Sequence, residues 1–159
     1  MQVVRREEEE EWLGGLVIDS NISDLITLDP AVVYEYSGIL ITHNVYQTLV
    51  TFEGSDLQTI QPGLADSWET NDAGDHWEMI FKLHPGNTFA SGNPITADDV
   101  VYSFNRVIAI NGPPAFLFTG VAGITADSVT VRGSRRTVFL SVRPEPSTAF
   151  ATRKRLAIS

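Results

Sequence analysis

The 159-residue sequence predicts an α/β protein, more narrowly an α+β arrangement of hairpins and packed helices. Two patterns carry this prediction. Residues 76–83 alternate apolar and polar side chains, as a half-buried strand does, and residues 100–108 repeat apolar side chains at helical spacing. The 43% share of hydrophobic residues and the 19% share of charged residues are typical of a globular chain.

Acidic and basic residues are unevenly distributed along the chain. Residues 7–11 are five consecutive glutamates, residues 12–129 hold 14 acidic and two basic residues, and residues 130–159 hold one acidic and seven basic residues. The formal net charge of −9 argues against a surface that holds nucleic acid, so we predict no nucleic-acid partner. The basic end is either an interaction tail or a surface whose balancing charges lie elsewhere.

Several classes of protein are excluded by simple absences in the sequence. There are no cysteines, which removes disulfides and thiolate metal sites. No apolar run approaches the ~18–20 residues of a membrane span. Arg5 and Arg6 are followed by glutamates rather than by the apolar run of a signal peptide, so we expect no signal peptide in this chain. Residues 1–11 are predicted to be a disordered acidic lead-in.

The first elements are short. Leu16-Val17-Ile18 is predicted to be a buried strand. Apolar residues spaced by three to five positions favour a helix over residues 37–49. Residues 50–52 then form a short strand before a turn.

The middle of the chain has the clearest local signals. Residues 67–70 and 76–83 flank a polar link that contains Gly74, which predicts a β-hairpin. Residues 92–109 predict a helix in which Thr96 is the N-cap and Asp99 completes a near capping box. The sequence 111–114, with its glycine and two prolines, ends this helix.

A second hairpin is predicted over residues 128–142. Val129 and Val131 alternate on the first arm, residues 133–136 turn, and residues 137–142 return. Pro144 and Pro146 close the hairpin, and Ser147 is a possible cap for a last short helix.

No arrangement of residues supports catalysis, so we predict that the protein is not an enzyme and needs no cofactor. His43, His76 and His84 lack the spacing of metal ligands, and no metal site is predicted. Asp98 and Asp99 are explained by the helix start. The two tryptophans of the first hairpin fit core packing better than ligand stacking.

A series of short motifs in fixed order makes the sequence specific. The residues that carry it are Leu28-Asp29-Pro30-Ala31, Asn44-Val45-Tyr46-Gln47-Thr48-Leu49, Pro62-Gly63-Leu64-Ala65-Asp66-Ser67-Trp68-Glu69, Gly74, Trp77, Phe81, Leu83, Gly86, Phe89, Gly92, Pro94, Thr96-Ala97-Asp98-Asp99-Val100, Tyr102-Ser103 and Arg106. The pattern resembles the large extracytoplasmic solute-binding proteins of ABC transporters, the family of dipeptide-, oligopeptide- and nickel-binding proteins. The resemblance covers roughly residues 15–150. Ala90-Ser91-Gly92 and His84 depart from it.

The resemblance implies a periplasmic-binding-protein-like type II fold, present here as the N-terminal portion of a two-lobed clamshell. Family members are longer, so we expect an incomplete fragment. Residues 12–39 and 126–150 would begin the hinge-side lobe. Residues 40–125 would form an inserted α+β subdomain, and residues 151–159 an irregular tail.

The implied function is capture of peptides or a related solute outside the cytoplasmic membrane, for delivery to an ABC permease. By position in the family, the ligand-facing residues would be Tyr34, Glu35, Tyr36, Ser37, Pro114, Phe116 and Phe118. Glu35 would pair with a peptide amino terminus, and Phe116 or Phe118 would wall a side chain; ordinary turn and core roles remain the alternative. The alternative function is a non-transport interaction module that docks through its basic C-terminal end.

Overall fold

The computed structural model describes residues 21–143. The predictions for the lead-in 1–11, the strand 16–18, the Ser147 cap, the lobe segments 12–20 and 144–150 and the tail 151–159 lie outside these residues. The described elements, in chain order, are α1 (Tyr36–Val45), β1 (Val50–Phe52), β2 (Ile60–Pro62), β3 (Ala65–Asp72), β4 (Trp77–Leu83), α2 (Ala97–Ile110), a π-helical turn (Leu117–Val121), a 3₁₀ turn (Ala126–Ser128), β5 (Val129–Val131) and β6 (Thr137–Val142).

Four strands form one antiparallel sheet in the order β3-β4-β6-β5. Both predicted hairpins are confirmed, and Gly74 adopts the positive φ of 97° that the first turn requires. The pairing of β4 with β6, in which Phe81 lies opposite Val138, joins the hairpins into a single sheet. This sheet therefore takes strands from both the segment 40–125 and the segment 126–150, and the division into lobe and subdomain stays a prediction.

The core lies between one face of this sheet and α2. Because strand side chains alternate between faces, β4 places Met79, Phe81 and Leu83 on the core side. Val129 and Val138 are the largest fully buried side chains of the described residues. Trp68 is half-buried and packs against this core, as expected for a packing role.

Helix α2 begins as predicted. The Thr96 backbone N–H and hydroxyl both donate to Asp99 Oδ2, each at 2.8 Å, and the two residues form a capping box. The helix ends at Asn111, which adopts the left-handed conformation and donates its N–H to the Val107 carbonyl.

Helix α1 is shorter than the predicted 37–49 because the residues after Val45 bond elsewhere. Tyr46 is extended, and the Leu49 carbonyl accepts the N–H groups of Gly63 and Ala65. These bonds hold residues 48–49 beside residues 63–65. The strand predicted at 50–52 is confirmed as β1, and its partner β2 was not predicted.

Helix α1 does not follow the usual pattern in which a helix buries its large apolar side chains. Its buried residues are Ser37, Gly38 and Thr42, whereas Ile39 and Leu40 are about half exposed. The small buried residues let α1 lie close to the loop that precedes it. A Cβ at position 38 would collide with side chains of that loop. Neither described helix is long and apolar enough to cross a membrane.

Candidate functional site

The structure brings together the two segments that the sequence assigned to ligand contact. The Tyr34 and Phe116 rings meet edge to face, with centroids 6.0 Å apart and an interplanar angle of 74°. The two residues remain 52% and 48% exposed. Two aromatic rings that contact each other and still face solvent form a surface that can pack against an apolar group.

Glu35 lies in the same loop, but its carboxylate is largely occupied by the backbone. Oε1 accepts the N–H groups of Ile26 and Thr27 at 3.0 and 3.1 Å, and Oε2 accepts the Tyr34 N–H at 3.1 Å. These backbone donors, that of Tyr34 foremost, lower the pKa of Glu35 to about 2. Glu35 therefore stays anionic near neutral pH, with its carboxylate held by the backbone of its own loop.

Ser37 is buried and serves the start of α1. Its hydroxyl donates to Asp24 Oδ1 at 2.5 Å, and its N–H donates to Asp24 Oδ2 at 3.0 Å. A carboxylate at the first turn of a helix accepts a backbone N–H that has no partner within the helix. Its negative charge is also stabilised by the positive end of the helix dipole. The Ser37 hydroxyl and N–H lower the pKa of Asp24. The sequence analysis did not single out Asp24.

The other predicted contact residues differ in exposure. Tyr36 is 78% exposed, and Pro114 is half-buried at the start of a turn, where its carbonyl accepts the Leu117 N–H. Phe118 packs edge to face on Phe104 of α2, with centroids 5.5 Å apart. The ring of Phe118 thus contributes to packing, and its role in ligand contact stays a prediction.

A charged pair holds the Tyr34 loop beside α2. Nη1 and Nη2 of Arg106 donate to Asp29 Oδ1 and Oδ2 at 2.7 and 2.6 Å. The Arg106 bonds, together with the Ala31 N–H, lower the pKa of Asp29 to about 2, and Asp29 raises the pKa of Arg106. Both residues belong to the motif series of the sequence analysis, but nothing in the sequence paired one with the other.

A second close contact lies where α2 gives way to the Phe116 segment. A Cβ at Gly112 would stand 2.8 Å from the Ala31 carbonyl oxygen, so glycine permits the backbones to approach. The Asp29–Arg106 pair and this approach together position residues 31–34 and 112–116 next to each other.

The three histidines lie apart from the Tyr34–Phe116 contact in sequence, His43 in α1, His76 directly before β4 and His84 directly after it. His76 Nδ1 is 2.7 Å from Asp75 Oδ1 at a half-buried position, and His84 Nδ1 is 2.6 Å from Asp66 Oδ1 at an exposed one. Residues 21–143 contain no group of three or more histidine or carboxylate residues suited to a metal ion.

Comparison with known proteins gives a consistent result. Residues 59–152 match the family described as bacterial extracellular solute-binding proteins, family 5 middle. The chain is 35% identical over 106 residues to the probable D,D-dipeptide-binding periplasmic protein DdpA of Escherichia coli. This alignment covers 65% of the chain and 20% of DdpA. The chain is also 35% identical over 89 residues to the probable deoxycholate-binding periplasmic protein YgiS of Escherichia coli. That alignment covers 56% of the chain and 16% of YgiS.

The fold agrees with these relatives. The unliganded open form of the murein tripeptide-binding protein MppA of Escherichia coli superposes with a TM-score of 0.64 at 28% identity, over 76% of this chain and 25% of MppA. The chain therefore has part of the type II periplasmic-binding-protein fold, and it spans about a fifth of the length of the curated relatives that it matches. The match of residues 59–152 covers more than half of the sequence, and the chain belongs to family 5 of the bacterial extracellular solute-binding proteins.

Proposed function

We propose that the chain acts in the substrate-binding component of an ABC importer, which captures peptides outside the cytoplasmic membrane and delivers them to a membrane permease. Family membership supports a role in solute binding. DdpA and MppA are described as binding a D,D-dipeptide and a murein tripeptide, which favours peptides over other solutes. Because relatives are described as periplasmic, we place the whole protein there.

The contact between Tyr34 and Phe116 is the observation that carries this proposal for the chain itself. It unites two segments 82 positions apart (116 − 34) into one exposed aromatic surface. A peptide side chain packed on this surface would bury apolar area. Glu35, which stays anionic, supplies negative charge near this surface for a peptide amino group.

The remaining predicted residues have supporting roles in this proposal. Ser37 fixes the start of α1 through Asp24, and Phe118 fixes the Phe116 segment on α2. Pro114 begins the turn that leads to Phe116. Tyr36, the most exposed of the set, adds a further aromatic surface.

In a two-lobed binding protein the cleft closes and buries the ligand between two faces. A bound peptide can be held by strand-like hydrogen bonds to its backbone, so the protein has little preference for particular peptide side chains. The 159-residue chain supplies residues matched to a quarter of MppA. We therefore expect this polypeptide by itself to bind di- and oligopeptides weakly or not at all. Isothermal titration calorimetry with mixed peptides measures this, and micromolar binding by the isolated chain would contradict the expectation.

Weak contact can still be located by NMR at high peptide concentration. Amide shifts are expected around Tyr34 and Phe116, and Phe116→Ala should reduce them. Phe52→Ala is the matched control, because Phe52 is 46% exposed and Phe116 is 48% exposed. Equal effects of the two substitutions would remove the Tyr34–Phe116 surface from the proposal. Deoxycholate, titrated in parallel, tests a different solute class that occurs among the relatives.

The alternative function is docking through the basic C-terminal end, and it requires that the basic side chains there be available to a partner. Arg132 lies over the Phe139 ring at 3.4 Å. The carbonyls of Arg135 and Arg136 accept the N–H groups of Ala97 and Leu83, so this turn is built into the fold. Salt-sensitive adsorption to heparin or anionic vesicles would favour the alternative.

A further inference from the structure

A cavity of about 430 Å³ opens on the side of α2 where that helix begins. Its walls come from the end of α1 and the two residues after it (45–47), from the loop before α2 (residues 88–90 and Ile95) and from the first turns of α2. Leu64 also lines it. None of the residues assigned to peptide contact lines this cavity. Its volume falls in the usual range for small-molecule sites.

The walls are fixed before any ligand binds. Thr88 and Pro94 form an isolated β-bridge across the loop. The Ile95 N–H donates to the Asn87 carbonyl at 2.9 Å, and Asn87 Nδ2 donates to the Leu64 carbonyl at 3.0 Å. A loop tied to itself and to the start of β3 loses little conformational entropy on binding, and pre-formed walls favour affinity.

The lining combines aromatic rings with one carboxylate. Tyr46 and Phe89 are 52% and 45% exposed, so their rings are available to a ligand. Leu64 and Val100 supply an apolar floor continuous with the core, and Ile95 adds apolar surface beside it. Aromatic faces attract cations because the ring quadrupole is negative above the ring plane.

Asp99 supplies the negative charge of the cavity. Both of its bonds from Thr96 go to Oδ2, and among residues 21–143 no side-chain hydrogen bond to Oδ1 is found. No lysine, arginine or histidine lines the cavity. The positive end of the α2 dipole offsets part of the Asp99 charge. No basic side chain of the lining neutralises the rest, so a cation is favoured over an anion in the cavity.

The surroundings reinforce this sign of charge. Residues 21–129 contain 13 acidic residues against two basic ones. Both basic residues are paired, Lys82 with Glu69 at 2.9 Å and Arg106 with Asp29. Arg106 also interacts electrostatically with Tyr46, but it does not line the cavity. Arg135 approaches the start of α2 through its carbonyl, and its side chain does not line the cavity.

We propose that this cavity is a second binding site, which takes a primary-amine cation carried on an aromatic or branched apolar body. The apolar body packs between Phe89 and the Leu64–Val100 floor, and the ammonium group faces Asp99 and the Tyr46 ring. This site is independent of the peptide surface at Tyr34 and Phe116, so either can fail without the other.

The test is titration of the full 159-residue chain with phenethylamine, 3-phenylpropionate and 2-phenylethanol near neutral pH, followed by amide chemical shifts. Phenethylamine is expected to bind about tenfold more tightly than 3-phenylpropionate, because the two probes differ in the sign of their charge. Its shifts should map to residues 45–47, 88–95 and the start of α2. Equal binding of amine and carboxylate, or shifts that map elsewhere, would overturn the proposal.

Two variants locate the site. Phe89→Ala should weaken phenethylamine roughly fivefold, whereas Phe52→Ala, at a position 46% exposed and outside the lining, should leave the affinity unchanged. Ala90→Trp, at an exposed lining position, should fill the opening and abolish binding. Equal behaviour of Phe89→Ala and Phe52→Ala, or full binding by Ala90→Trp, would refute it. The comparison of the amine and carboxylate probes needs no variant, so it decides the question even if a substitution impairs folding.

Discussion

Asp29 and Arg106 are far apart in sequence, yet two hydrogen bonds of 2.6 and 2.7 Å join their side chains. These bonds lower the pKa of Asp29 from 3.8 to about 2. A carboxyl whose pKa is lower in the folded than in the unfolded state stabilises the fold above its unfolded pKa. The contribution is lost as the pH falls through the folded pKa.

We therefore predict that the free energy of unfolding decreases between about pH 5 and pH 2, partly through Asp29. Asp29→Asn should lower stability at neutral pH and make the loss on acidification smaller. Urea denaturation at neutral pH and at about pH 3 measures both effects. Glu53→Gln is the control, since Glu53 is exposed and its side chain forms no ion pair among the described residues. A pH dependence unchanged by Asp29→Asn would contradict the prediction.

The Tyr34–Phe116 contact is also expected to stabilise the fold. Edge-to-face pairs contribute about 0.5–1.5 kcal/mol, and half-exposed rings should lie at the low end, about 0.5 kcal/mol. A double-mutant cycle with Tyr34→Ala and Phe116→Ala isolates this coupling. The cycle of Tyr34→Ala with Phe52→Ala should give none, and equal values in both cycles would show that the ring contact contributes no energy.

At the scale of the element, α2 depends on its first turn. Thr96→Ala removes the hydroxyl of the capping box and should lower the free energy of unfolding by about 1 kcal/mol. Ser103→Ala removes a hydroxyl that bonds the Asp99 carbonyl within the helix, which should change stability by less than about 0.5 kcal/mol. Chemical denaturation compares the two, and equal losses would argue against a cap-specific effect.

Elements defined by local signals were predicted well, and elements defined by distant partners were not. The start of α2 and both hairpins follow from residues within a few positions of each other. Helix α1 ends early because Leu49 bonds Gly63 and Ala65, which no local pattern contains. Strand β2 has three residues and ends at Pro62, too short to show alternation.

The same distinction applies to the site. Position in the family placed Tyr34 and Phe116 among the candidates, but their mutual contact depends on how the chain folds between them. The bonds that occupy Glu35 come from the backbone of residues 26, 27 and 34, and backbone donors carry no sequence signature. The cavity at the start of α2 needs three separate segments and could not be predicted from any one of them.

At the scale of the whole molecule, the β4–β6 pairing should make the two hairpins unfold together. Val138 lies at 0% exposure in β6, opposite Phe81 of β4. Val138→Ala should cost about 2–3 kcal/mol through lost burial and a residual cavity. If the sheet is one cooperative unit, amide-exchange protection in β3 should fall as much as protection in β5.

Val45→Ala is the matched control, because the same change at a 70% exposed position should alter stability by less than about 0.5 kcal/mol. Native-state hydrogen exchange then separates two outcomes. Equal loss of protection in β3 and β5 means that the contact between hairpins stabilises the whole sheet. A loss confined to β5 and β6 would mean that β3 and β4 fold independently and would contradict the prediction. Among residues 21–143 the hairpins are joined by the β4–β6 pairing and by the adjoining bond from the Leu83 N–H to the Arg136 carbonyl. The sheet can therefore act as one support for α2 only if this seam holds.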